Sequence, residues 1–288
     1  MALEIRSVGV VGLGTMGAGI AQVSVQAGFE TVGREMSDEL AERGRATIDH
    51  YLSRGVEKGR LSADEKDAAL ARLRLTTELA DLAPCDLVIE AVLEELELKR
   101  AVFAELDRIV RPEAVLATNT SALSVSAIAQ ATQHPERVVG MHFFNPAPVL
   151  PLVEIVRAHE SSDEALRAAY DWAERAGKQP VMCNDTPGFI VNRILIPLLN
   201  DCVRVLDEAD VTPADMDKAM QNGAGWPLGP CALIDLIGVD VHVHASEALH
   251  AALGEPRMAP PERLVEMAHE GALGRKSGRG FFSYAKDG

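Results

Sequence analysis

Gly12-Leu13-Gly14-Thr15-Met16-Gly17 decides the fold of this chain through what stands on either side of it. Before it runs Val8-Gly9-Val10-Val11, a short apolar stretch that reads as a buried strand. After it, Met16, Ile20, Val23 and Ala27 recur on one helical face. Strand, glycine turn and helix together predict a phosphate-binding corner. Gly12 permits the tight turn, Gly14 lets backbone approach a pyrophosphate, and Gly17 lets helix and strand pack closely. The free N–H groups and positive dipole end of the helix, from Leu13, Thr15 and Met16 onward, then face the phosphates. A glycine pattern of this kind also arises as an ordinary turn, so a second element matters. Glu35 ends the next apolar stretch, eighteen residues after Gly17, where an acid that accepts ribose hydroxyls belongs.

Working outward, residues 86–90, 114–118, 137–142, 152–156 and 179–183 read as strands. Helical patterns cover 37–58, 62–72, 95–110 and 163–176. This alternation predicts an α/β Rossmann domain with a mostly parallel sheet covered on both faces. The texture changes at Asp185-Thr186-Pro187-Gly188. Beyond it the patterns are helical, broken at Pro213, Gly223 to Gly225, Gly229-Pro230 and Pro260-Pro261. Thr212-Pro213-Ala214-Asp215 reads as a capped helix start with proline at its first position. The expected organisation is a dinucleotide-binding domain, 1–184, followed by a smaller all-α domain, 185–288.

At 288 residues the chain can hold two domains, each with its own core. Its formal charge of −15 argues against nucleic acid or an anionic membrane as the main partner. The start has a single Arg6 and a short apolar run that leads straight into the glycine turn, unlike a signal peptide. No run of about eighteen apolar residues predicts a membrane span. Cys85, Cys183, Cys202 and Cys231 are far apart and lack paired spacing, which suits free thiols in a reducing cytoplasm.

Four polar residues stand where the local pattern predicts something blander. Ser121 follows the carboxyl end of the 114–118 strand, and His142 ends the 137–142 strand. Open parallel sheets bind ligands outside those strand ends. Glu154 shares a strand face with Leu152 and Val156, so it must find a partner or change its protonation. Asn192 is expected on one helical face with Phe189 and Ile196. Each also has a plainer reading: Ser121 as a helix cap, His142 as a structural strand-end residue, Glu154 as a solvent-facing one, Asn192 as a helix-to-loop bond. His242 and His244 have the spacing of a ligand pair, but nothing nearby completes a metal set, so no metal is expected.

The chain resembles the short-chain (S)-3-hydroxyacyl-CoA dehydrogenases, above all their bacterial 3-hydroxybutyryl-CoA branch. The resemblance runs the whole length through GLGTMGAGIAQ, TNTSALS, HFFNPAPVLPLVEIV, DTPGFIVNRIL, GAGWPLGP and GRKSGRGFF, in that order. It implies His142 as general base, Glu154 as its partner, and Ser121 and Asn192 binding the reacting oxygen. It adds Glu94, Lys99, Asn145 and Lys276 to the cofactor site, and it implies a homodimer formed through the helical domain. The chemistry of the residues agrees. Oxidising a secondary alcohol needs a base for the hydroxyl proton, and histidine, ordinarily near pKa 6.5, suits neutral pH. A carboxylate on its other nitrogen fixes the tautomer.

Glu35 stands where the family usually has Asp and favours NAD, while Arg34 beside it leaves a 2′-phosphate, and so NADP, open. Ala122 replaces a second serine often found there, with little effect expected. The anionic end of a short-chain acyl-CoA needs local positive charge, and Arg54 and Lys58, with Arg60, form a compact basic cluster. The expected function is NAD-linked oxidation of a short 3-hydroxyacyl-CoA. The alternatives are the same chemistry on a free hydroxy acid, and a non-catalytic NAD-binding protein on the same fold.

Overall fold

The computed structural model describes residues 3–284 of the chain. It divides into two compact units, Met1–Phe189 and Ile190–Gly288. In the first, β1 (Ser7–Val11), α1 (Thr15–Gln26), β2 (Glu30–Arg34), α2 (Asp38–Glu57), α3 (Ala63–Ala71) and β3 (Leu73–Thr76) come in order. They are followed by β4 (Leu87–Glu90), α4 (Leu96–Ile109), β5 (Val115–Thr118) and the short α5 (Val125–Ala129). Next come β6 (Val138–Phe143), β7 (Leu152–Arg157), α6 (Asp163–Arg175) and β8 (Gln179–Asn184). Serines end the extended segments before α2, α3 and α6: Ser37, Ser62 and Ser162 each accept a backbone N–H from the first turn.

The strands form one eight-stranded sheet in the order β3-β2-β1-β4-β5-β6-β7-β8. The order reverses direction at β1, where the chain switches from one side of the sheet to the other, and this is where such folds open a ligand crevice. The central strands β4, β5 and β6 are buried along their whole length, which is why they read as apolar runs up to the polar residues Glu90, Thr118 and His142 at or near their carboxyl ends. All neighbouring pairs are parallel except β6 and β7. Only residues 144–151 separate those two strands, too few for the helical crossover a parallel pair requires, so β7 turns back against β6. Strand β3 escaped the sequence reading: four residues long, it follows directly on the helical pattern of α3 and carries little periodicity of its own.

The second unit contains α7 (Val191–Glu208), α8 (Pro213–Gly223), α9 (Pro230–Ile237), α10 (Val239–Leu253) and α11 (Glu262–His269). Thr212 caps α8 as its sequence predicts, accepting the N–H of Asp215 at 3.1 Å. One expectation fails here. Phe189 does not share a helical face with Asn192, because it takes a left-handed backbone at φ 47° and packs into the core of the first unit. The Thr186-Pro187-Gly188 turn holds it outside α7, which starts at Val191. No helix among the described residues is long and apolar enough to cross a membrane.

A buried polar knot joins α7 and α10 inside this unit. His242 is fully buried, its Nε2 2.8 Å from Asn200 Oδ1, while no described group reaches its Nδ1. Burial pushes the His242 imidazole down to about 4, against an ordinary value of 6.5. The unfolded chain therefore binds this proton more readily than the folded one, so the stability it contributes is full above pH 6.5 and is lost as pH falls toward 4. Unfolding free energy measured across that window should drop by about 3 kcal/mol from this group. A His242→Gln variant should show a correspondingly shallower slope, and an equal slope would move the acid sensitivity elsewhere.

Candidate active site

The glycine corner sits between β1 and α1. Gly12 has φ +86°, and a Cβ there would lie 2.9 Å from the Ala91 carbonyl oxygen. A Cβ on Gly17 would lie 1.7 Å from the Gly12 carbonyl oxygen, so any side chain drives α1 off β1. Gly14 is different: nothing lies within 4 Å of where its Cβ would be, which leaves its backbone open to a ligand. Glu35 is tied to this corner from the end of β2. Its Oε1 accepts the Leu13 N–H at 2.6 Å and its Oε2 accepts its neighbour Met36 N–H at 3.0 Å.

A cavity of about 820 Å³ opens over this corner, bounded by α1, α2 and the loop that follows β6. Gly14, Thr15, Glu35 and Asn145 line it together with Arg54 and Lys58 from the far end of α2. Arg54 stands sixteen residues along α2 from Asp38, roughly 24 Å, and Lys58 follows the helix end. Arg34 does not line the cavity, and its Nε donates to the Thr77 carbonyl at 3.1 Å. The open backbone at Gly14, the glycine-only packing at Gly17 and the carboxylate at Glu35 fit a dinucleotide with free ribose hydroxyls.

Ser121 lies in the turn after β5. The helix-cap reading falls to a neighbour: Ser124 accepts the Ala127 N–H at the start of α5. The Ser121 turn is instead gathered around Glu94. Glu94 Oε1 accepts the Thr120 hydroxyl at 2.6 Å, the Ser121 N–H at 2.8 Å and the Ala122 N–H at 3.1 Å. The Ser121 hydroxyl is 3.3 Å from the same oxygen. Behind it, Lys99 is 1 % exposed, its Nζ 2.6 Å from Glu90 Oε1 and 3.3 Å from Glu94 Oε2. Burial works to raise the Glu94 carboxyl, but the Lys99 charge and the Thr120, Ser121 and Ala122 bonds outweigh it and hold the group below its usual range. Glu90, fully buried and also bonded to Thr118 Oγ1 at 2.8 Å, was missed from sequence; a carboxylate closing the apolar run Leu87-Val88-Ile89 was its signal.

His142 and Glu154 are direct cross-strand partners of the antiparallel β6–β7 pair, so both side chains leave the same face of the sheet. Nδ1 of His142 lies 2.6 Å from Glu154 Oε2. Glu154 is fully buried, which removes the solvent-facing reading. A carboxylate only accepts, so in the neutral ring this contact places the proton on Nδ1 and leaves the Nε2 lone pair free. Phe144 and Phe189 pack on the imidazole, with centroids at 4.4 and 5.6 Å. The end of β6 is also pinned to the neighbouring strand end, where Asn119 Oδ1 accepts the Phe143 N–H at 3.0 Å. On β8, burial and the charges of Glu154 and Asp185 push the Cys183 thiol up to about 12, which disfavours its thiolate.

Four other residues singled out from sequence belong to the second unit. Asn192 is in the first turn of α7. Lys276 Nζ pairs with Asp240 at the start of α10, at 2.6 Å. His242 and His244, two apart on a helix, point to different faces: the first is buried and the second exposed.

Comparison with known proteins agrees with this construction along the chain. The family model for the 3-hydroxyacyl-CoA dehydrogenase NAD binding domain matches residues 7–186, and that for the C-terminal domain of the same family matches 188–284. A 3-hydroxybutyryl-CoA dehydrogenase of Mycobacterium tuberculosis is 44% identical over 99% of this chain and 100% of its own length. A probable 3-hydroxybutyryl-CoA dehydrogenase of Deinococcus radiodurans is 43% identical over 96% of this chain and 99% of its own. Among solved structures, an (S)-3-hydroxybutyryl-CoA dehydrogenase of Ralstonia eutropha superposes with a TM-score of 0.94 at 40% identity, covering 98% of this chain and 100% of that one. With its glycine corner, its helical second unit and matches that span both, the chain belongs to the 3-hydroxyacyl-CoA dehydrogenase family, an NAD-binding family of oxidoreductases.

Proposed function

We propose that this protein oxidises (S)-3-hydroxybutyryl-CoA, or another short 3-hydroxyacyl-CoA, to the 3-oxoacyl-CoA and catalyses the reverse reduction. The observation that carries the reading is the buried His142–Glu154 pair on a sheet that also builds a dinucleotide corner. Bound NAD supplies the hydride acceptor. His142 Nε2 takes the proton of the substrate hydroxyl, and the Glu154 carboxylate stabilises the imidazolium that results. The Ser121 hydroxyl and the Asn192 amide hold the reacting oxygen as it becomes a carbonyl. Glu35 receives the adenosine ribose, and Gly12, Gly14 and Gly17 shape the phosphate turn. Asn145 joins the cofactor site from the cavity wall, and the family resemblance adds Lys276. Lys99 acts at one remove: its charge holds Glu94, and Glu94 holds the Ser121 turn. Two copies pair through the helical unit, whose exposed Ile194, Leu236 and Val241 offer apolar surface, and the enzyme works in the cytoplasm.

Arg54 and Lys58 meet the phosphates at the nucleotide end of CoA. Such contacts are remote from the reacting carbon and are made equally in ground and transition states, so losing them raises KM and spares turnover. Steady-state reduction of acetoacetyl-CoA should run with NADH in strong preference to NADPH. Arg54→Ala combined with Lys58→Ala should raise the KM for acetoacetyl-CoA about 10–100-fold, and leave a short thioester lacking the nucleotide almost unaffected. Activity on a free 3-hydroxy acid but not on the CoA thioester would replace this substrate. Equal effects of the double variant on both thioesters would mean that α2 itself had been disturbed.

A further inference from the structure

Lys178 has no role in the chemistry above, yet its amine is buried and bonded to two backbone carbonyls. It is 9% exposed, and its Nζ donates to the Ala147 carbonyl at 2.5 Å and to the Leu150 carbonyl at 3.1 Å. Both acceptors lie in the loop 144–151 that joins the His142 strand to the Glu154 strand. Burial holds its ammonium below the usual lysine range.

Local structure sets where that amine stands. Gly177, at φ +72°, ends α6 in the left-handed conformation. The Gly177 N–H returns to the Glu174 carbonyl and the Lys178 N–H to the Ala173 carbonyl, the paired bonds of a Schellman motif. One residue later, Gln179 enters β8 and pairs with Leu152 of β7. The backbone of Lys178 is thus fixed by a helix end on one side and a sheet ladder on the other. From this rigid base the side chain reaches the loop.

The loop is gripped from the opposite side as well. A Cβ added to Gly19 of α1 would come within 3.2 Å of both Ala147 Cβ and Pro148 Cδ, so the loop lies directly on the helix that follows the glycine corner. Ala147 is 2% exposed and part of the core, whereas Val149 beyond it is 70% exposed. Asn145, Pro146, Ala147, Pro148 and Val149 all line the large cavity. Without the two bonds from Lys178, the carbonyls of Ala147 and Leu150 lose their donor and the cavity wall loses its tie to the sheet.

We propose that Lys178 is a positioning residue: it clamps the 144–151 loop against Gly19 of α1, and so sets the wall of the cavity that receives the dinucleotide. The proposal rests on the assignment of that cavity made under Proposed function. Because Lys178 acts on a wall and touches no reacting atom, its loss is felt in binding more than in turnover.

The test uses Lys178→Met, which keeps the length of the side chain and removes the donor, beside Lys178→Arg and the parent enzyme. The Kd for NADH, read by its fluorescence, should rise about tenfold in Lys178→Met, with kcat for acetoacetyl-CoA within about threefold of the parent. Lys178→Arg, which retains donors, should recover most of the affinity. Gly19→Ala, which presses on the same loop from the other side and itself lines the cavity, should also weaken NADH. An unchanged NADH Kd in folded Lys178→Met would overturn the proposal. So would a loss confined to kcat and melting temperature, which marks a general structural role. If the parent binds NADH but leaves acetoacetyl-CoA unreduced, the substrate assignment fails, while the NADH Kd still decides the part played by Lys178.

Discussion

His142→Ala should lower the turnover number for acetoacetyl-CoA reduction about 10²–10⁴-fold, because it removes the group that exchanges the hydroxyl proton. The Kd for NADH should hold within about twofold, since the imidazole is absent from the lining of the glycine-corner cavity. Stability should fall too: His142 packs against Phe144 and Phe189, and its removal leaves the fully buried Glu154 carboxylate without the Nδ1 donor. A melting curve therefore belongs beside the kinetics, so that the loss of rate is measured on folded protein. Near-normal turnover in a folded variant would sink the assignment of His142 as base.

The second large effect is expected at Glu154. Glutamine keeps nearly the shape of the side chain and can still accept the Nδ1 proton through its amide oxygen. It cannot stabilise the imidazolium, and its amide nitrogen, if turned toward the ring, enforces the wrong tautomer. Glu154→Gln should therefore reduce kcat about 10²-fold with NADH affinity retained. Glu154→Ala adds a cavity in a fully buried position and an unpaired Nδ1–H, so it should lower the melting temperature as well. Rates equal to the parent in Glu154→Gln would return Glu154 to the structural residues of β7.

Much of the architecture was legible because it rests on short-range rules. The turn Gly12 to Gly17 between an apolar run and a helical pattern specifies its own conformation, since no other residue type fits at Gly17. The caps Ser37, Ser62 and Ser162 and the Thr212-Pro213 helix start act within one turn of their own position. Strands buried on both faces are mostly apolar, and that made β4, β5 and β6 visible. Edge strand β3 lacked this constraint. Phe189 misled for a local reason too: its spacing from Asn192 fits a helix, but the turn at Gly188 holds it outside α7.

By itself, then, the sequence determined the α/β class of the first unit, its dinucleotide corner with Glu35, the helical character of the second, and which polar residues were out of character with their surroundings. Only the tertiary structure decided what those residues do to one another. His142 and Glu154 are twelve residues apart, and each alone admits a plain reading. They become a pair because β7 turns back on β6 in the register that sets them opposite, a geometry fixed by a short loop and by the ladder bonds of two strands. Glu94 and the Ser121 turn are 27 residues apart and meet through a carboxylate that no pattern in either segment announces. Lys178 finds the 144–151 loop across 31 residues. Side-chain hydrogen bonds of this range carry no periodicity along the chain. They exist only once the backbone of the sheet has brought their ends together.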